Sequence, residues 1–231
     1  MNNYSQISIE KIFLSISNKF FFKNLNIKFL PTGISVIIGP NGSGKTLLLK
    51  IIAGIIKVDS GIVNIENNNK IRVGYSPQNI VFLRRNVYEN LSYVLKTNGF
   101  KKKQIAPIID SFLKDFKIYG KRNSSARNLS GGLAQYLSFI RAIILKPNLL
   151  ILDEPCSNLD SKFKKKIEEY LVNEKKQKKI ILVTHDIFQA KRLADEIILF
   201  NDGQIIEKNR TDKFLNSKQT LVRRFLQDNL L

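Results

Sequence analysis

The chain has 231 residues, of which 43% are hydrophobic and 25% charged, values that fit one large folded domain and exclude wholesale disorder or two independent domains. A total of 38 Lys and Arg against 19 Asp and Glu gives a net charge of +19, which attracts polyanions, although compositional drift in a chain rich in Lys, Asn and Ile explains it equally well. No apolar run approaches the roughly 18 to 20 residues of a membrane-spanning helix, and residues 1–13 lack the pattern of a secretory signal. The single cysteine, Cys156, cannot form an internal disulfide. We therefore expect a cytosolic protein.

The first part of the chain is predicted to form antiparallel, half-buried strands. Apolar residues alternate imperfectly over 7–16 and at period two over 25–29. A short apolar run, 35–38, then ends in a glycine-rich loop and is followed by apolar residues at helical spacing over 47–55. Two further short strands are predicted at 62–65 and 71–75.

The middle of the chain is predicted to be mainly helical, with helical periodicity over 87–97 and 104–116. Beyond it, strands and helices alternate, as in a parallel sheet covered by helices. The predicted elements are a strand at 149–152, a helix at 161–175, a strand at 180–183, a short helix to 194, a strand at 197–200, and two short amphipathic helices in 211–231. The fold class is therefore α/β, with a mainly parallel sheet, an N-terminal antiparallel β subdomain and an inserted helical subdomain.

A phosphate-binding pattern lies between the predicted strand 35–38 and the following helix. Its residues are Gly39, Pro40, Asn41, Gly42, Ser43, Gly44, Lys45 and Thr46, called here the phosphate loop. The glycines let successive backbone N–H groups and the positive helix end face phosphate oxygens. Lys45 supplies a mobile charge for the β- and γ-phosphates, and the Thr46 hydroxyl suits Mg²⁺.

Two acids end the apolar strand 149–152. Asp153 is placed to hold Mg²⁺ through water, and Glu154 to orient or deprotonate an attacking water. The alternative is that these acids only cap a helix. Together with the phosphate loop they predict an ATPase of the P-loop class.

A third motif, Leu129-Ser130-Gly131-Gly132, opens a predicted helix with Ser130 as its N-cap and forms a second anion site. With this motif the sequence resembles the ATP-binding-cassette (ABC) family over about residues 5–210. The family's signature is the same Leu-Ser-Gly-Gly start, upstream of an apolar strand that ends in Asp-Glu. Three more segments match family motifs in the right order: Gln78 in 75–78, the loop 157–160, and His185 in 183–186.

The resemblance implies a head-to-tail dimer of two cassettes, with ATP between the phosphate loop of one copy and the signature helix of the other. It implies that Ser130, Gly131 and Gly132 bind the γ-phosphate of the partner's ATP and that Asp160 braces the dimer contact. His185 would touch the γ-phosphate and the attacking water.

The resemblance also implies that Gln78 senses Mg²⁺ and water and joins the core to the helical block. The whole chain would be one ABC ATPase domain. Its predicted divisions are a nucleotide-binding core at about 1–78 and 146–210, a helical subdomain at about 79–145, and a tail at about 211–231.

Several residues depart from the family pattern. Leu133 and Tyr136 replace the usual Gln and Arg of the signature helix. Ile16 lies near the position where many members stack an aromatic ring on adenine, and Phe20 is the aromatic substitute that we expect there. Cys156 belongs to no thiol motif, so we expect a structural role for it.

The leading hypothesis is the ATP-hydrolysing subunit of a membrane importer for a small solute, such as an oxyanion or a polar amino acid. It would lie on the cytoplasmic face of the membrane, bound to separate permease subunits, with a possible separate solute-binding protein and no specific nucleic acid. The apolar run 80–83 is expected to line the permease-docking groove, with Phe82 as its aromatic anchor. The alternatives are a small exporter cassette of the haem-export type and a nucleic-acid-associated ABC ATPase.

Overall fold

The structure is a computed structural model that describes residues 6–17, 19–65 and 71–230. The strands of these residues form two sheets, which the helices cover. In the first half of the chain the elements are β1 (Ile7–Ile16), β2 (Lys19–Lys28), β3 (Gly33–Ile38), α1 (Lys45–Ile52), β4 (Ser60–Ile65), β5 (Val73–Ser76), α2 (Val87–Thr97) and α3 (Lys102–Asp115). In the second half they are α4 (Gly131–Ile143), β6 (Leu149–Asp153), α5 (Ser161–Glu174), β7 (Lys179–Val183), α6 (Ile187–Leu193), β8 (Glu196–Asn201), β9 (Gln204–Arg210), α7 (Thr211–Leu215) and α8 (Thr220–Leu230).

The N-terminal sheet is antiparallel, in the order β2-β1-β4, as the sequence predicts. Its inward face buries Ile9, Ile12 and Phe22, while alternate residues face outward. This face packs with α1 and with one face of the main sheet in a single hydrophobic cluster. The antiparallel sheet therefore covers the side of the main sheet on which α1 lies.

The main sheet has the order β5-β6-β7-β3-β8-β9 and is parallel except for the antiparallel pair β8-β9. All residues of β3, β6 and β7 are buried, which explains why these strands are continuous apolar runs rather than alternating ones. Because β3 and β6 are both parallel to β7, their carboxyl ends lie at one edge of the sheet. The α/β fold class is thus confirmed.

Strand β9 was not predicted from the sequence. It lies at the sheet edge and is only half-buried, and its sequence, QIIEKNR, has more polar than apolar residues. An edge strand of this kind lacks the apolar run by which the central strands are recognised.

The helical region between β5 and β6 contains α2, α3, α4 and two short 3₁₀ turns. Helix α4 is mostly buried and packs against β5, where a Cβ on Gly74 would lie 2.3 Å from the carbonyl oxygen of Ala142. Glycine therefore allows α4 to approach the sheet closely. The division of the chain into a core, a helical subdomain and a tail remains a prediction.

The two helices predicted for the tail are α7 and α8. Phe214 of α7 and Val222 and Leu226 of α8 are buried in the main hydrophobic cluster, so both helices pack onto the domain. Among the described residues, no helix is long and apolar enough to cross a membrane.

Candidate functional site

The phosphate loop lies between β3 and α1, where the sequence placed it. Gly39 has φ 147°, and a Cβ there would lie 1.9 Å from the carbonyl oxygen of Phe200, so only glycine fits. Gly44, with φ 102°, precedes α1 and provides no side-chain cap for its first turn. The backbone N–H groups at this helix end are therefore free of a side-chain partner and suit an anion.

Lys45 is the first residue of α1, and its ammonium group folds back over the phosphate loop. The Nζ atom donates hydrogen bonds to the carbonyl oxygens of Gly39 at 2.8 Å and Pro40 at 2.7 Å. Burial lowers the pKa of Lys45, while the nearby Glu154 and Asp153 carboxylates oppose that shift. The ammonium group thus lies within the electrostatic range of both acids.

Asp153 ends β6 and is only 1% exposed. Among the described residues, neither carboxylate oxygen has a hydrogen-bond partner. Burial raises the pKa of Asp153, because the charged form loses its water, while the nearby Thr46 hydroxyl and the charge of Lys45 oppose this shift. An unpartnered buried carboxylate fits a group that binds a cation or its water shell.

Glu154 follows directly and contacts the only histidine of the chain. The Nδ1 atom of His185 donates to Oε2 of Glu154 at 2.9 Å. Burial raises the pKa of Glu154, and the hydrogen bond from His185 opposes that shift. The imidazole is 67% exposed, so it reaches the carboxylate from the solvent side.

The backbone of Glu154 is left-handed, with φ 51°. For a residue with a side chain, such a conformation costs on the order of 1 to 3 kcal/mol and persists only where the surroundings hold it. Here the N–H of Glu154 donates to the carbonyl oxygen of Val183, the last residue of β7, at 3.0 Å. Strand β7 therefore helps to hold the acid in position.

One cavity of about 470 Å³ brings these groups together, except for His185, which contacts Glu154 but does not line the cavity. Thr46, Gln78, Asp153 and Glu154 line it, together with residues 41–45 other than Ser43. Residues far apart in sequence thus meet at the carboxyl edge of the parallel strands, which is where open α/β sheets bind ligands.

The predicted signature residues lie elsewhere on the chain. Ser130 caps α4, its Oγ accepting a hydrogen bond from the N–H of Leu133 at 3.4 Å, and Asp160 caps α5. None of Ser130, Gly131, Gly132 and Asp160 lines the cavity. The structure therefore brings together the phosphate loop, both acids and Gln78, and places the signature residues apart from them.

A protein-family model described as ABC transporter matches residues 22–157, more than half of the chain. The chain belongs to the ABC transporter family. As an ABC ATPase, it binds and hydrolyses ATP. The resemblance drawn from the motifs is thereby confirmed.

Individual ABC proteins are similar along nearly the whole chain. The molybdate/tungstate import ATP-binding protein WtpC of Methanocaldococcus jannaschii is 34% identical, over 91% of this chain and 73% of that protein. The phosphate import ATP-binding protein PstB of Borrelia garinii subsp. bavariensis is 32% identical, over 95% of this chain and 93% of that protein. A solved structure, a dimeric ATP-binding cassette in a post-hydrolysis state bound to ADP and Pi, superposes with a TM-score of 0.80 at 25% identity, over 89% of this chain and 98% of that one.

The expectation that Phe20 replaces the adenine-stacking aromatic is wrong for this cassette. Successive residues of a strand point to opposite faces, and Phe21 lines the cavity beside Ile16, whereas Phe20 is 61% exposed and does not line it. The ammonium group of Lys23 lies 5.1 Å from the centre of the Phe20 ring, which therefore faces solvent and a cation. Phe21 is the aromatic residue that lines the cavity.

The expectation that Phe82 anchors a permease helix is also contradicted. Phe82 is 6% exposed and belongs to the main hydrophobic cluster, and the Arg141 guanidinium lies 4.9 Å from the centre of its ring. The neighbouring Val81 and Leu83 are exposed instead. Alternation along this extended segment, which the continuous apolar run concealed, directs Phe82 inward.

Sequence reasoning missed Gln135, a buried polar residue of α4 that contacts the backbone at Glu154. A lone glutamine among apolar residues of a buried helix was the available signal.

Cys156 needs no functional role, because burial raises its pKa to about 11 and keeps the thiol protonated at neutral pH. Tyr136 lies 4.4 Å from Phe163 between ring centres and is a core residue.

Proposed function

We propose that this cassette is the ATP-hydrolysing subunit of a transporter that imports a small oxyanion. The observation that supports hydrolysis is the contact between Glu154 and His185 beside the phosphate loop. The relatives WtpC and PstB are import proteins for molybdate or tungstate and for phosphate, all of them tetrahedral oxyanions. An oxyanion is accordingly the solute class that we propose.

Each group in the cavity has a proposed role in hydrolysis. Lys45 and the backbone of the phosphate loop bind the phosphates of ATP, while Thr46, Gln78 and Asp153 hold Mg²⁺ directly or through water. Held there, Mg²⁺ would supply positive charge that offsets the charge of the phosphates. The unpartnered oxygens of Asp153 support this assignment.

Glu154 is proposed as the base that accepts the proton of the attacking water. Its raised pKa strengthens it as a base, while the hydrogen bond from His185 favours the ionised form and holds its Oε2 atom. His185 is exposed enough to contact the γ-phosphate as well. The two side chains therefore act as one unit.

Hydrolysis is proposed to require a second copy of the cassette. Ser130, Gly131 and Gly132 lie outside the cavity, so the partner copy would supply them to each ATP, with Asp160 at the dimer contact. The solved cassette bound to ADP and Pi is dimeric, which supports a dimer here.

The docking surface for the permease is proposed to include Val81 and Leu83. Val81 is 73% exposed, and both residues follow closely on Gln78, which lines the cavity. An apolar partner helix on this surface would sense the state of the nucleotide site through Gln78. The cassette would then lie on the cytoplasmic face of the membrane, with a separate solute-binding protein delivering the oxyanion to the permease.

The decisive variant is Glu154→Gln, which keeps the size of the side chain but cannot accept a proton. We expect ATP binding to persist, turnover to fall by about 10² to 10⁴, and an ATP-bound dimer to accumulate. ATPase assays, light scattering with ATP, and phosphate and molybdate uptake into vesicles with the co-expressed permease measure these effects. Turnover at the parent rate would refute the role of Glu154, and ATP-dependent uptake of neither oxyanion would refute the solute class.

A further inference from the structure

Gln135 joins the signature helix α4 to the backbone that follows Glu154. It is 3% exposed, and its Nε2 atom donates to the carbonyl oxygen of Glu154 and to Oγ of Ser157, the latter at 3.1 Å. Its Oε1 atom accepts from the N–H of Asn158 at 3.2 Å. Both ends of one side-chain amide are therefore engaged by segment 154–158.

A second contact links the same two parts of the chain. A Cβ on Gly132 would lie 2.7 Å from the carbonyl oxygen of Asn158, so the first turn of α4 packs directly on this loop. Gly132 and Gln135 are three residues apart and share one face of the helix. A shift of the α4 end would therefore move segment 154–158 with it.

Such a shift would act on Glu154. Its left-handed backbone is held by Val183 on the N–H side and by Gln135 and Ser157 on the carbonyl side, where Oγ of Ser157 lies 3.2 Å from the oxygen. A strained backbone keeps its conformation only while its neighbours hold it. The contacts of Gln135 therefore help to fix the position of the Glu154 carboxylate.

We propose that Gln135 is a positioning residue that couples the signature end of α4 to Glu154 of the same chain. The inference rests on the proposed function, in which that helix end contacts the ATP bound by the partner while Glu154 acts on the chain's own ATP. Gln135 therefore connects the two ATP sites of the dimer. Nucleotide bound at one site positions the base at the other.

The test compares Gln135→Met with a matched variant, Gln189→Met, in the full chain. Gln189 is a buried glutamine too, and its amide donates to Glu168 at 3.0 Å and lies beside the Cys156 thiol, but it makes no hydrogen bond to the Glu154 carbonyl. In Gln135→Met we expect kcat to fall at least about tenfold, because small displacements of a reacting group have large effects. The ATP dissociation constant should stay within about twofold, and the Hill coefficient for ATP should fall to that of independent sites.

A purely structural role predicts that kcat falls with the melting temperature in both glutamine variants. Under the proposal, Gln189→Met instead lowers the melting temperature as Gln135→Met does but leaves kcat and the Hill coefficient unchanged. Ser157→Ala, which removes the other side-chain contact to the Glu154 carbonyl from an exposed position, should lower kcat in the same direction without impairing folding. Parent kcat and cooperativity in Gln135→Met, or losses of kcat that track melting temperature equally in both glutamine variants, would overturn the proposal.

The failure of this proposal can be told apart from failure of the proposed function. Glu154→Gln, measured in parallel, reports on the base alone. If Glu154→Gln hydrolyses ATP normally, the catalytic assignment is wrong. If it is inactive while Gln135→Met retains parent kinetics, only the coupling is wrong.

Discussion

Replacing Phe82 with alanine should lower the stability of the folded cassette rather than selectively uncouple it from a permease. A phenylalanine side chain buries roughly 150 to 250 Å², and at ~25 cal/mol per Å² nearly complete burial stabilises the fold by about 4 to 6 kcal/mol. The alanine side chain retains part of this burial energy, while loss of the contact between the Phe82 ring and Arg141 removes about 0.5 to 1 kcal/mol more. We expect Phe82→Ala to reduce the free energy of unfolding by about 4 kcal/mol.

This loss corresponds to a fall in melting temperature of roughly 8 to 16 °C for a domain of this size. Differential scanning calorimetry without nucleotide measures it directly, and Val81→Ala is the matched control. Because Val81 is exposed, that variant should stay within ~0.5 kcal/mol of the parent protein. A Phe82→Ala protein that melts within about 2 °C of the parent would show that the ring does not contribute to the core.

Two further predictions concern the acids of the cavity. Burial raises the pKa of Asp153 in the folded state, so the stability that the protonated carboxyl gives at low pH is lost as the pH rises through that pKa. Asp153→Asn should therefore raise the melting temperature of the nucleotide-free protein at neutral pH, by about 2 to 4 °C for each kcal/mol of stability regained. An unchanged or lower melting temperature would contradict the cost of burying this charge. The raised pKa of Glu154 in the nucleotide-free cassette should place the acidic limb of the kcat/KM profile above the ordinary glutamate value of about 4.3, since the base must be ionised. Persistence of that limb in the residual activity of Glu154→Gln would assign it to another group.

The central strands and the nucleotide cavity were predictable because their signals are local. An apolar run, a glycine-rich turn and a helix near Lys45 define the phosphate loop, and the run before Asp153 defines β6. Parallel pairing then brings the two strand ends together without further information. Strand β9 escaped prediction because an edge strand is specified by its neighbour, β8, more than by its own residues.

The errors share a physical cause, which is that sequence shows which residues are apolar but not which way they point. Phe20 and Phe21 are chemically identical, and only the register of β2 against β1 decides which ring faces the cavity. The same holds for Phe82 beside Val81 and Leu83. In these segments, orientation comes from pairing and packing partners distant in sequence.

Several of the groups proposed to act on ATP are held in locally unfavourable states. Within the described part of the chain, Asp153 is buried without a hydrogen-bond partner, and Glu154 has a left-handed backbone and a raised pKa. The buried ammonium group of Lys45 donates hydrogen bonds to carbonyl oxygens of its own loop. The buried charges of Asp153 and Lys45 would be relieved by the cation and the phosphates that they are proposed to bind, whereas the backbone of Glu154 is held by its neighbours. Such departures are recognisable as motifs because few residue types serve that chemistry. The hydrogen bonds that Gln135 makes do not restrict the residue type to the same degree. Gln135 is therefore much harder to recognise in the sequence than Glu154, the base that it supports.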